Sequence, residues 1–365
     1  MPKRSLLTLF TRTLFAGLTG FAGAACGSPP EEVATPEVVT DAGPRDAPSP
    51  PLVPSPEATP PTPPDNLERA LGAPYPIVLM HGMAGFEQLT VGTIGVEYWA
   101  GVRAELARVG EDQVFVTEVS PYETSEVRAR EAKAQIDKIL AATGKKKVAL
   151  VGHSQGGLDA RVLASPAGLD YGAKIASVTT ISTPHRGSYI ADVVMRLASS
   201  SPDTFDKATS TLLKLLQRTA YQLQGDANLR AQLEQISEKY MREVFNPKYA
   251  DAPGVLYESY AGRTNLRAGL GVCDDGIYPN EPSKLDSAQS FLLPSAIILE
   301  RGLPVRVNDG LVTVESAKWG TFMQCVPADH MKEVGQLNID GTNLQTFDHK
   351  KFYRQIVERI RQRGF

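Results

Sequence analysis

The residues that most plainly could do chemistry are Gly152-His153-Ser154-Gln155-Gly156. They fit G-x-S-x-G, follow the apolar run Lys147–Val151 (KVALV) and open a helical stretch. A serine on such a strand-to-helix turn is held in a strained backbone, and the flanking glycines let neighbouring main chain pass close by. The chemistry would be nucleophilic acyl transfer. A serine hydroxyl needs a base to take its proton, usually a histidine held by a carboxylate.

The chain has five histidines: His81, His153, His185, His330 and His349. On this kind of turn the acid and then the base follow the serine along the chain, which removes His81 and His153. His185 comes too early to follow an acid. His349 opens the last helix in a polar setting where solvation is the ordinary outcome. His330 follows a Gly/Trp/Cys-bearing loop and precedes a helical stretch, and it is the favoured base, with His185 and His349 as alternatives. The acid should lie on a loop after a strand. Asp309, in Asn308-Asp309-Gly310 after Val305-Arg306-Val307, fits; Asp274, Asp275 and Asp286 are the other candidates. Two N–H groups must meet the developing negative charge. Gln155, next to the serine, supplies one. The loop His81–Gly85 after the first apolar run should supply the other, from Met83.

Elements must then place these groups. Pro76–Met80, Gln113–Val119, Lys147–Val151 and Ile175–Ile181 read as strands, and Tyr98–Val109, Ser125–Ala142 and about Phe347–Arg361 as helices. Strands alternating with helices predict a mostly parallel sheet covered on both faces. Residues 203–245 read as helical without a clear strand, a natural cap, with Leu212, Leu213, Leu215 and Leu216 clustered in it.

Upstream of this, the chain changes character. Lys3, Arg4 and Arg12 precede a small, apolar stretch ending at Cys26, which reads as an export signal over residues 1–25. Gly23-Ala24-Ala25-Cys26 resembles a bacterial lipobox, with Gly23 where leucine is usual; it implies that Cys26 is lipidated and anchors the chain to a membrane or cell surface. Residues 29–64 hold 13 of the 27 prolines and cannot build a core, so residues 26–69 are expected to be a tether and residues 70–365 the folded domain. If Cys26 carries lipid, Cys273 and Cys325 remain, and an oxidising setting favours a disulfide between them over free thiols. The formal net charge of −3 offers no footprint for nucleic acid. No stretch after residue 30 is apolar for the roughly 20 residues of a membrane span.

Together, YPIVLMHGMAGF, VFVTEVSPYETSEVR, KVALVGHSQGG, TPHRGS, FNPKY, NDGLV and DHMKEVGQ resemble the bacterial true lipases typified by Pseudomonas and Burkholderia triacylglycerol lipases, from about Tyr75 to Arg361. The resemblance implies an α/β-hydrolase fold with a helical lid at about residues 190–245. It implies Ser154, Asp309 and His330 as a triad, Met83 and Gln155 as oxyanion hole, and a Cys273–Cys325 disulfide. The Gln155 side chain is expected to be unused. A lipid or ester is the implied substrate, with a lipase-specific folding chaperone as a further partner. The alternatives are a short-chain esterase or phospholipase on the same fold, or a non-catalytic binding module. No organic cofactor is required. The family's structural calcium is doubtful here. Asp286 matches its first carboxylate, but Lys332 stands in His330-Met331-Lys332-Glu333 where the second is expected. An ammonium has no lone pair to give. Either Lys332 takes the ion's place beside Asp286, or it points to solvent and Glu333 or Gln336 completes a weak site.

Overall fold

The computed structural model describes residues 74–86, 88–91, 94–198, 226–264, 271–278, 288–300, 306–336 and 347–365. The export signal, Cys26, the tether, Leu212, Leu213, Leu215, Leu216 and Asp286 lie outside the described residues. In chain order the elements are β1 (Ile77–Met80), β2 (Gln88–Val91), β3 (Ile94–Glu97), α1 (Val102–Arg108), β4 (Val114–Thr117), α2 (Ser125–Thr143), β5 (Val148–His153), α3 (Gln155–Ala164) and β6 (Ile175–Ile181). Then come α4 (Tyr189–Ala198), α5 (Asp226–Gln235), β7 (Leu256–Gly262), α6 (Leu293–Leu299), β8 (Thr321–Val326) and α7 (His349–Gln362). Six strands pair in the order β4-β1-β5-β6-β7-β8, every pair parallel. A separate antiparallel hairpin joins β2 and β3.

Strand periodicity explains why β1 and β5 are apolar throughout. Successive side chains point to opposite faces, and both faces here are covered. Val78, Met80, Val148 and Leu150 pack with Ile136, Leu158 and Leu163 from α2 and α3. Ile77, Leu79, Ala149 and Val151 pack with Leu106 of α1 and Phe352, Ile356 and Ile360 of α7. A third cluster gathers Ile190, Val194, Leu229, Leu233, Leu292, Leu299 and Leu311 from α4, α5, α6 and the loop before β8. The expected lid is described only at its two ends, α4 and α5.

Several boundaries move for physical reasons. The helix expected from Tyr98 starts at Val102, because Tyr98 and Trp99 turn inward and Gly101 (φ 65°) takes a left-handed conformation. The helix expected to end at Gly144 does so, with Gly144 at φ 66° as a left-handed cap. Four strands lie where none is expected: β2 and β3 of the hairpin, and β7 and β8 of the main sheet. β7 buries Glu258 and Ser259, which weaken an apolar pattern; Glu258 meets Arg359 of α7 at 2.8 Å. β8 occupies part of what read as a Gly/Trp/Cys-bearing loop before His330. Arg306 and Val307 belong to no strand, so Asp309 does not follow one directly. It lies between β7 and β8, where Asn308 bridges Thr313 in isolation. Cys273 and Cys325 form a disulfide, Cα–Cα 5.6 Å, tying residues 271–278 to β8.

Candidate active site

Ser154 sits between β5 and α3 with φ 56° and ψ −130°. A residue with a Cβ rarely adopts positive φ, and such an outlier points to a functional constraint. The turn is possible because its neighbours are bare. A Cβ on Gly152 would lie 2.6 Å from the Gly157 nitrogen, and one on Gly156 would collide with the Met80 carbonyl of β1. A Cβ on Gly82 would lie 2.7 Å from that of Ser154, so the loop after β1 passes directly against the serine.

Asp309 and His330 meet. His330 Nδ1 and Asp309 Oδ2 share a hydrogen bond at 2.7 Å, and both residues are buried. The other Asp309 oxygen accepts from Leu311 N–H at 2.8 Å and Val312 N–H at 2.7 Å. The His330 N–H donates to the Asp309 carbonyl at 2.9 Å. Charge-assisted donors of this kind keep a buried carboxylate satisfied. Ser154, His330, Met83 and Gln155 line one cavity. The rest of its wall includes Ile190, Ala191, Leu233, Ile236, Leu311 and Val312. Those side chains come from α4, α5 with the residue after it, and the Asp309 loop, so the cavity is apolar toward the cap and polar toward the sheet. Among the described residues, neither the Met83 nor the Gln155 N–H donates to a protein acceptor.

The loop bearing Met83 is held from below. Arg128 of α2, fully buried, donates to the His81 carbonyl at 2.6 Å, the Gly82 carbonyl at 3.3 Å and the Ser120 carbonyl at 2.7 Å. Its Nε meets Asp159 of α3 at 2.7 Å. Burial pushes the Asp159 carboxyl up to about 6, against the pull of Arg128. The pairing of Arg128 with Asp159 beneath this loop has no local sequence signal, since the two charges are 31 residues apart. The Gln155 side chain was expected to be idle. Its Oε1 accepts from Gln232 of α5 at 2.6 Å and its Nε2 donates to the Glu123 carbonyl at 3.0 Å, joining the serine's helix to the cap.

The alternative bases are elsewhere. His185 is buried, stacked on Trp319 at 5.2 Å, with Nε2 bonded to Thr180 Oγ1 at 3.0 Å. His349 is not solvated as expected. It is buried, with Nε2 donating to the Ala100 carbonyl at 2.8 Å. Asp274 and Asp275 lie in the exposed 271–278 segment. Burial, and then the guanidinium groups of Arg161 and Arg186, hold His185 well below the usual imidazole range. The unfolded chain therefore binds a proton below about pH 6.5 that the folded chain refuses, so this contribution to stability is complete above that pH and is lost on acidification. Each such histidine steepens the fall by up to about 1.4 kcal/mol per pH unit. His185→Asn should flatten the decline of unfolding free energy between about pH 6.5 and 5. An unchanged slope would show that His185 does protonate in the folded state.

Lys332 does not point to solvent: it is fully buried in the turn Lys332–Val334. The nearby Asp329 carboxyl accepts from the N–H groups of Gln289 (2.8 Å), Met331 (3.0 Å) and Lys332 (3.0 Å). Gln336 Nε2 donates to the Tyr98 carbonyl at 3.1 Å, and Glu333 faces Ser182 and His153. A calcium ion asks for six to eight oxygen ligands, and Asp286, expected to supply the first carboxylate, lies outside the described residues.

A serine at positive φ between a parallel strand and a helix, lining one cavity with the histidine of a buried Asp–His pair from later loops, defines the serine hydrolases of the α/β-hydrolase class. Residues 75–248 match the family described as alpha/beta hydrolase fold. The chain is 44% identical over 314 residues to a triacylglycerol lipase of Vibrio cholerae serotype O1, covering 80% of this chain and 88% of that one. It is 40% identical over 325 residues to a triacylglycerol lipase of Burkholderia plantarii, covering 80% and 87%. Within the class, then, the chain belongs to the bacterial triacylglycerol lipase family. Among solved structures, the Staphylococcus hyicus lipase matches with a TM-score of 0.54 at 18% identity, over 79% of this chain and 96% of that one, a likeness of fold.

Proposed function

We propose that this chain is a lipase that cleaves fatty-acid esters, triacylglycerols foremost, with Ser154 as nucleophile, His330 as base and Asp309 as its orienting acid. The observation that carries the reading is the buried 2.7 Å Asp309–His330 pair opening on the same apolar cavity as Ser154. His330 takes the Ser154 proton as Oγ attacks the ester carbonyl. The Met83 and Gln155 N–H groups hold the oxyanion. Asp309 keeps Nδ1 protonated, so Nε2 is the basic nitrogen. His330 then protonates the departing alcohol, and water, activated by the same base, releases the fatty acid. The apolar wall from α4 and α5 receives the acyl chain, and residues of about 190–245 serve as the lid. A chain-length series of p-nitrophenyl esters beside emulsified triacylglycerol tests the substrate class. Rising kcat/KM toward long acyl chains supports a lipase, and a preference for short, soluble esters would make it an esterase.

The chain is also proposed to be exported, lipidated at Cys26 and tethered to a membrane by residues 26–69, with a lipase-specific chaperone assisting its folding. The Cys273–Cys325 disulfide accords with an oxidising compartment. Cys26→Ser should move the enzyme from the membrane fraction to the soluble fraction without changing its specific activity, because several acyl chains anchor firmly where one does not. Wild-type protein found wholly soluble and free of lipid contradicts the anchor. Finally, the Lys332 ammonium is proposed to take the electrostatic place of a calcium ion and tie the His330 loop to the domain. Activity and Tm should then be unmoved by EDTA or added Ca²⁺, whereas a loss in EDTA restored specifically by Ca²⁺ contradicts this.

A further inference from the structure

Behind the Asp309–His330 pair lies a second set of polar groups that the acyl-transfer scheme does not use. Glu333 is fully buried. Its Oε1 accepts from Ser182 Oγ at 2.7 Å, and its Oε2 shares a hydrogen bond with His153 Nε2 at 3.2 Å. Ser182 Oγ itself accepts from the Gly262 N–H at 2.8 Å, so its single proton is committed to Glu333. On the far side, His153 Nδ1 lies 2.6 Å from the Tyr98 hydroxyl, which accepts from the Gly82 N–H at 3.0 Å. The chain of contacts thus runs from β7 beneath the site to the residue before Met83. It passes through the residue before Ser154, whose ring lies 4.5 Å from that of His330.

The inventory of protons along this chain has two solutions. Either Glu333 is ionised and accepts from His153 Nε2–H, or Glu333 keeps its proton and donates to a bare Nε2. Ionised, it would be a second anion beside Asp309. A Cβ on Gly262 would touch both the Glu333 carboxyl and Asp309 Cβ. Among the described residues, Asp309 has three donors, two of them backbone N–H groups, whereas Glu333 has Ser182 and His153. Ionising two carboxyl groups buried in one dry site is disfavoured, and the one with fewer donors keeps the proton. Burial, and then the charge of Asp309, push the Glu333 carboxyl well up, while burial and the neighbouring His330 push His153 well down, so the imidazole is neutral.

We propose that Glu333, protonated on Oε2, is a positioning residue: it donates to His153 Nε2, fixes the Nδ1–H tautomer, and through Tyr98 clamps the Gly82 peptide so that the Met83 N–H stays aimed at the reacting carbonyl. Tyr98 Oη then accepts from both Nδ1–H and the Gly82 N–H, which uses both its lone pairs and leaves its own proton to a partner outside this chain of contacts. The same carboxyl explains Gly262, since any side chain there would collide with it. The effect on rate rests on the lipase reading given above; the tautomer does not.

The test starts with the wild-type enzyme. In ¹⁵N-histidine-labelled protein at neutral pH, assigned by difference from His153→Asn, the His153 ring should show a protonated Nδ1 and a bare Nε2. The reverse pattern overturns the proposal whatever any variant does. Glu333→Leu should lower kcat at least tenfold with KM within twofold, because the clamp acts on the transition state and not on substrate binding. Glu333→Gln keeps an N–H facing Nε2 and should recover most of that loss. Gln faring no better than Leu, or a change confined to KM, also overturns it. Failure of Ser154 to react with an acyl-type probe would instead fall on the lipase reading and leave the tautomer result standing.

Discussion

Ser154→Ala should lose hydrolysis by a factor on the order of 10⁶ while leaving the fold and its Tm essentially intact. The size follows from what the hydroxyl does. Without it no acyl-enzyme forms, and His330, Asp309 and the two N–H groups have only an unactivated water to work on. The residue at 154 must still tolerate φ 56°, a strained conformation that alanine bears no worse than serine. Steady-state rates on a p-nitrophenyl ester, with circular dichroism and thermal melts alongside, check the prediction. Residual activity within a hundredfold of wild type with unchanged substrate preference would place the nucleophile elsewhere.

His330→Ala should cost about as much, because base and nucleophile act as a unit. The Ser154→Ala/His330→Ala double variant should be no worse than either single variant. That non-additivity separates joint action from two independent contributions. The variant also leaves Asp309 with two backbone donors, so the carboxylate stays satisfied and the loop should persist. His185→Ala and His349→Ala should keep turnover near wild type, since their rings bond to Thr180 and to the Ala100 carbonyl, away from the cavity. Loss of activity in either of these, with His330→Ala active, would reassign the base.

What was legible in the sequence follows the range of the signals. The G-x-S-x-G turn, its preceding strand and the α2 stop at Gly144 are local patterns and lie where they were read. His330 could be favoured because chain order argues against His81, His153 and His185 and a polar setting against His349, and Asp309 because it sits on an Asn-Asp-Gly turn upstream of it. No strand directly precedes Asp309 among the described residues: Arg306 and Val307 belong to none, for all the strand-like side chains of the run they close. β7 and β8 are illegible for the opposite reason: Glu258, Ser259 and Gln324 interrupt their apolar run, and the pairing of β7 with β6 and of β8 with β7, with the bond to Arg359, justifies them. The inner polar chain is the least legible part. His153 and Tyr98 are 55 residues apart, and His153 and Glu333 are 180 apart. No periodicity brings such residues together, and each alone reads as an ordinary polar side chain. A hint lay in the restriction of their neighbours, since Gly82 and Gly262 are both glycines that the packing requires.

The central claim is that Ser154 is a nucleophile activated by His330. A fluorophosphonate probe tests it directly, because such a probe phosphonylates only an activated serine and leaves an adduct that a proteolytic digest can locate. The wild-type enzyme should be labelled stoichiometrically, on a single peptide with the adduct on Ser154, and labelling should be lost in both Ser154→Ala and His330→Ala. An unlabelled wild-type protein, or an adduct on any other residue, would contradict it.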